Sequence, residues 1–128
     1  MEIFNIVVLS LSGLLLLAVS SMRLSNPIKA YAKNSGITLG ADVNLLNEMR
    51  GVSALMLCGG IVIGLGAIIP QLTFTSFVVG ILIFLGFGIG RMISMGVDGK
   101  PGKELVQGLM FELVFGCLNV FCLVYALL

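Results

Sequence analysis

Apolar residues run in four long blocks separated by short polar intervals. A helix that crosses a membrane needs about 20 mainly apolar residues, and residues 3–22, 47–69, 72–95 and 105–127 each meet that length. The polar intervals between them predict the connections. Residues 23–46 form the one long interval. In it, Ser25-Asn26-Pro27 reads as a helix start, a capping side chain followed by proline at the first helical position, and Gly36 reads as a stop. The spacing predicts a short amphipathic helix over 27–35, with Ile28 and Tyr31 on one side and Lys29 and Lys33 on the other, lying on the membrane surface. Asp42 caps the next helix, and Leu45 and Leu46 lead into the second block.

The other two connections are tight. Pro70-Gln71 leaves room only for a turn, and Asp98-Gly99 with Pro101-Gly102 marks a second turn within 96–103. Short connections imply antiparallel neighbours in contact. The predicted fold class is therefore all-α: an integral membrane four-helix bundle, with residues 1–128 as a single four-span domain. The first block carries no charge beyond Glu2, which predicts that it is the most lipid-exposed helix. Its leading Met1-Glu2 is acidic where a signal peptide is basic, so the expectation is a retained span.

Composition agrees with this pattern. Hydrophobic residues make up 59% of the chain and charged residues only 10%, against about 25% charged in a soluble domain. A formal net charge of +1 supplies no basic patch, so a nucleic-acid partner is not expected. Histidine is absent and the three cysteines form no C-x-x-C pair, so no metal and no cofactor is expected. Cys58, Cys117 and Cys122 lie in apolar blocks, where cysteine acts as a small hydrophobe.

The few charges set orientation. Arg23, Lys29, Lys33, Lys100 and Lys103 lie in the first and third connections, and Arg50 and Arg91 lie near the span ends that face them. The excess of Lys and Arg marks that side as cytoplasmic and puts both termini outside.

Charges inside apolar spans are costly and normally face a bundle interior. Glu112 lies roughly 10 Å and Arg91 roughly 6 Å inside the membrane at 1.5 Å rise per residue, and Glu48 and Arg50 sit at the head of the second span. Glu48 and Arg50 are two apart and point to different sides of a helix, so each needs a partner elsewhere. The balanced inventory predicts Glu48 with Arg91 and Arg50 with Glu112, with Asn47 or Ser94 completing the hydrogen bonds. The candidate polar cluster, binding or structural, is Asn47, Glu48, Arg50, Arg91, Ser94, Asp98, Glu112 and Asn119, and none of its members is assigned a catalytic role. Glycines at helical spacing, Gly60 and Gly64, Gly86 and Gly90, Gly108 and Gly116, predict close helix approach.

The pattern Asn47-Glu48-x-Arg50-Gly51, then Gly90-Arg91-x-x-Ser94-x-x-x-Asp98-Gly99-x-Pro101, then Glu112 resembles a family of small bacterial four-helix membrane proteins catalogued as a domain of unknown function. It is more distantly similar to the DoxX-like four-helix proteins. The resemblance covers roughly residues 40–128 and leaves the first span unmatched. It implies the four-helix fold, inner-membrane residence and these polar residues as family marks, and it supplies no reaction.

Three functional readings follow. The leading one is a non-enzymatic accessory or scaffold subunit, or a homo-oligomer, held together by the Glu/Arg cluster. The second is a small channel or proton-coupled transporter using Glu112 and Arg91. The third is a lipid- or quinone-binding membrane protein. The partners these imply are the lipid bilayer, a second copy or a larger membrane complex, and a lipid or small amphipathic ligand.

Overall fold

A computed structural model describes residues 2–128. The described residues are helical and turn segments with no strand: α1 (Ile3–Ser25), α2 (Pro27–Ser35), α3 (Val43–Ile68), α4 (Thr73–Asp98) and α5 (Lys103–Leu127), with one 3-10 turn at Pro70–Leu72. The four long helices are long and apolar enough to cross a membrane, which suggests a multi-pass membrane protein. At the end that carries the basic connections α1, α4 and α5 extend two or three residues past the expected apolar blocks, and α3 starts directly after Asp42, as that cap predicts.

The local signals account for the ends. The Asn26 side chain accepts from the Lys29 backbone N–H at 3.3 Å, and Asp42 accepts from Asn44 N–H at 3.1 Å. Gly36 closes α2 in the left-handed region at φ 65°, and the Ile37 N–H donates back to Tyr31 O at 3.1 Å. Gly99, at φ 104°, ends α4 in a conformation that side chains disfavour.

The helices form a ring: α1 packs on α3 in the most extensive contact of the bundle, α4 on α5 in the next, and α3 on α4 in the third. The core is drawn from all four: Val8, Leu9 and Leu16 of α1, Met56 and Ile63 of α3, Phe77 and Phe84 of α4, and Cys122 of α5. This corrects the expectation that α1 is the most lipid-exposed helix. Among the four spans α5 buries the smallest share of its residues, and α1 is as buried as α3. The reason lies in Gly13, where an added methyl would stand 3.0 Å from Gly64 N and 3.2 Å from Gly60 O. The backbones of α1 and α3 meet through these three glycines, as small residues allow.

Hydroxyl groups tie α3 to α4 across their short connection. Ser76 Oγ donates to Val62 O at 2.7 Å and Thr73 Oγ1 to Gly66 O at 2.9 Å. The outward faces carry exposed apolar residues, among them Leu55, Leu82 and Ile93.

The fourth side of the ring, between α1 and α5, is the loosest. The two helices touch nearer the termini, where Phe4 meets Phe121 edge-on at 6.0 Å and Asn119 Nδ2 donates to Ser12 Oγ at 3.2 Å. Toward the basic connections the two helices leave a cleft between them. The short helix at 27–35 forms where the sequence predicts it. It docks Pro27, Ala30, Tyr31 and Ser35 against the bundle and leaves Ile28 exposed beside Lys29.

Candidate functional site: a cleft between the first and last spans

The cleft has a volume of about 410 Å³, within the 300–1,000 Å³ typical of small-molecule sites. Its deep walls are apolar: Leu15, Leu16 and Val19 of α1, Met56 of α3, and Phe84 and Phe87 of α4. Phe111 and Gly108 line the α5 side. No atom lies within 4 Å of the position a Gly108 Cβ would take, so the missing side chain contributes directly to the opening. At the end nearest the connections the lining turns polar, with Arg23, Lys33, Asn34, Arg91, Glu104 and Glu112.

Arg23 is the central residue of that polar end and the one the sequence pattern passed over. It is only 7% exposed. One terminal nitrogen donates to Ser35 Oγ at 3.1 Å, and the guanidinium lies 4.4 Å from the centroid of the Tyr31 ring, a cation–π stack. Its Nε has no hydrogen-bond partner among the described residues. Counting Arg23 with the first connection ended the span at residue 22. Nothing between Met22 and Asn26-Pro27 breaks a helix, however, and α1 runs on to Ser25. The signal was present as the 3,4 spacing of Leu9, Ser12, Leu16, Ser20 and Arg23, all on the buried face.

Arg91 and Glu112 pair with each other. Arg91 Nε donates to Glu112 Oε1 at 2.7 Å, and the two side chains are 26% and 15% exposed. This overturns the expected pairing of Glu48 with Arg91 and of Arg50 with Glu112. Arg91 stands on α4 and Glu112 on α5, nearly equidistant from the turn that joins them, so the hairpin brings them face to face. Arg50 instead donates to the carbonyls of Leu24 and Ser25 at the end of α1. Those carbonyls have no partner within their own helix, and a cation there complements the helix dipole. Glu48 and Asn47 are exposed on the first turns of α3, away from the cleft lining.

The rest of the expected cluster is dispersed. Ser94 Oγ donates to Asp98 Oδ2 at 3.1 Å, one turn along the exposed side of α4. Asn119 is fully buried, far down the α1–α5 seam, where Nδ2 also donates to Phe115 O at 2.7 Å. Of the eight expected residues, only Arg91 and Glu112 line the cleft. Cys122 is buried, while Cys58 and Cys117 face outward. No group of His, Cys, Asp and Glu among the described residues could hold a metal ion.

A family model described as a domain of unknown function, DUF4345, matches residues 4–123. The match takes in the first span, which the motif resemblance had left out, and therefore both walls of the cleft. No curated protein and no solved structure matched the chain.

Proposed function

The chain belongs to that family of unknown function, and we propose that it is a non-enzymatic membrane protein that binds a lipid-like amphiphile in the cleft between α1 and α5. One observation carries this reading: a single cleft joins a buried arginine to walls of leucine and phenylalanine. A polar head and an apolar tail on one molecule match that gradient. Ionisable residues inside spans usually line a functional cavity, and α1 supplies Arg23 from within its last two turns.

In the same proposal the basic end of the bundle faces the cytoplasm of a bacterial cell, by the distribution of Lys and Arg, with the termini on the far side of its inner membrane. The head of the amphiphile then sits at the depth of the cytoplasmic headgroups. The α2 helix, carrying Lys29 and Lys33, rests at the same level.

The test is extraction from native membranes in mild detergent, followed by native mass spectrometry of the wild type and of Gly108→Leu. The substituted side chain enters open space, so it should fill the cleft without disturbing the fold. The wild type should carry one small molecule and the variant none. Wild type and variant both free of adducts would contradict the reading. A polypeptide companion in place of a small molecule would favour the accessory-subunit reading. Proton-linked flux in proteoliposomes that Glu112→Gln abolishes would favour transport.

A further inference from the structure

We infer that the polar end of the cleft is an oxyanion subsite, built by Arg23 and Asn34 for the head of a monoanionic acyl amphiphile; this rests on the amphiphile reading above and names its ligand class. Two residues of the lining carry a buried donor with no hydrogen-bond partner among the described residues, Arg23 at Nε and Asn34 at Nδ2. Both are N–H groups, so what satisfies them is an acceptor. Buried polar groups in folded proteins are nearly always paired, and two orphan donors on residues of one cavity, each a small side-chain shift from it, therefore point to a ligand acceptor.

The charge balance selects the ligand's sign. The lining carries three cations, Arg23, Lys33 and Arg91, and two carboxylates, Glu104 and Glu112, a formal net charge of +1. One negative charge neutralises it. Glu112 already occupies Arg91 through Nε, while Arg23 is held by a neutral hydroxyl and an aromatic face. No carboxylate forms an ion pair with Arg23 among the described residues. A guanidinium is suited to a carboxylate or a phosphate because its planar N–H groups match two oxygens at once. Stacking on Tyr31 and the bond to Ser35 fix its plane in advance, so little freedom is lost when an anion arrives. A neutral quinone carbonyl could accept from one donor but would leave the charge unbalanced.

The head chemistry common to a fatty carboxylate and a lipid phosphodiester is a monoanionic oxygen pair on an acyl chain, and binding measurements separate these sources. Purified protein in a nonionic detergent, at alkaline pH, is titrated with oleate, with oleoyl lysophosphatidylglycerol and with uncharged monooleoylglycerol. At least one of the two anions should bind about tenfold more tightly than monooleoylglycerol, a difference of about 1.4 kcal/mol. Whichever anion binds better names the source. Arg23→Gln should reduce that preference to about onefold while monooleoylglycerol binds as before. Asn34→Asp, at a half-buried position on the last turn of α2, should do the same by repulsion, and it decides the matter if Arg23→Gln does not fold.

Equal binding of the three probes by the wild type would overturn the oxyanion subsite and leave the amphiphile reading standing. So would an anion preference that survives in the variants. Binding of none of them, the neutral probe included, would overturn both.

Discussion

Arg91 and Glu112 bear on one another more than on any other charge. A half-buried ion pair stands between exposed pairs, which contribute about 0–1 kcal/mol, and buried ones, whose disruption costs about 3–5 kcal/mol. A double-mutant cycle of Arg91→Ala and Glu112→Ala, followed by thermal unfolding in detergent, should give a coupling of about 1–2 kcal/mol. Arg50→Ala should add independently to Glu112→Ala, because Arg50 caps the end of α1 and shares no partner with Glu112. Coupling between Arg50 and Glu112 would contradict the pairing seen here. The sequence held the ingredients of this arrangement. Balancing the charges identified Arg91 and Glu112 as members of a cluster, but partner choice follows from helix adjacency, and the α4–α5 hairpin was itself readable from Asp98-Gly99 and Pro101-Gly102. Residues at similar distances from a hairpin turn lie near each other, and Arg91, seven residues before the end of α4, and Glu112, nine after the start of α5, already meet that condition. Arg23 was harder to find, because its role depends on where α1 stops.

At the scale of helices, glycine has two distinct uses in this chain. At Gly13 an added methyl meets backbone atoms of α3 at 3.0 and 3.2 Å, and backbone yields only if the helices separate. Gly13→Ala should therefore destabilise the bundle by about 1–3 kcal/mol, in spite of alanine's higher helix propensity. Gly86 is exposed on α4 with nothing within 4 Å of its added Cβ, so Gly86→Ala should be neutral or stabilise by up to about 1 kcal/mol. Thermal unfolding of the two variants side by side checks the contrast, and equal effects would contradict the assigned α1–α3 contact. The four spans and the 27–35 helix were legible from hydropathy blocks, caps and turn dipeptides, since those signals are local. Which glycines pack inward was not, because Gly60 and Gly86 carry the same small-xxx-small spacing and only the order of helices around the ring separates them. For the same reason the lack of charge on α1 misled: an uncharged helix suits lipid and a bundle core equally well.

Across the whole molecule, one seam differs from the other three. α1 and α5 pack least extensively of the four neighbouring pairs; they meet near the termini through Phe4, Phe121, Ser12 and Asn119 and part toward the basic end. Asn119 bridges this seam to Ser12, and the absence of a side chain at Gly108 leaves space beyond that bridge. The cleft could not be read from the sequence, since it arises from the pairing of the first and last helices, whose separation along the chain is the largest. The chain contains no tryptophan, so a single indole placed on the cleft wall reports without background. Phe87→Trp should be quenched saturably, at about one molecule per protein, by an acyl amphiphile brominated along its chain, and adding Gly108→Leu should abolish the saturable component. Quenching that rises only in proportion to the amphiphile's share of the micelle, and equally with leucine at 108, would contradict the claim that this seam holds a ligand.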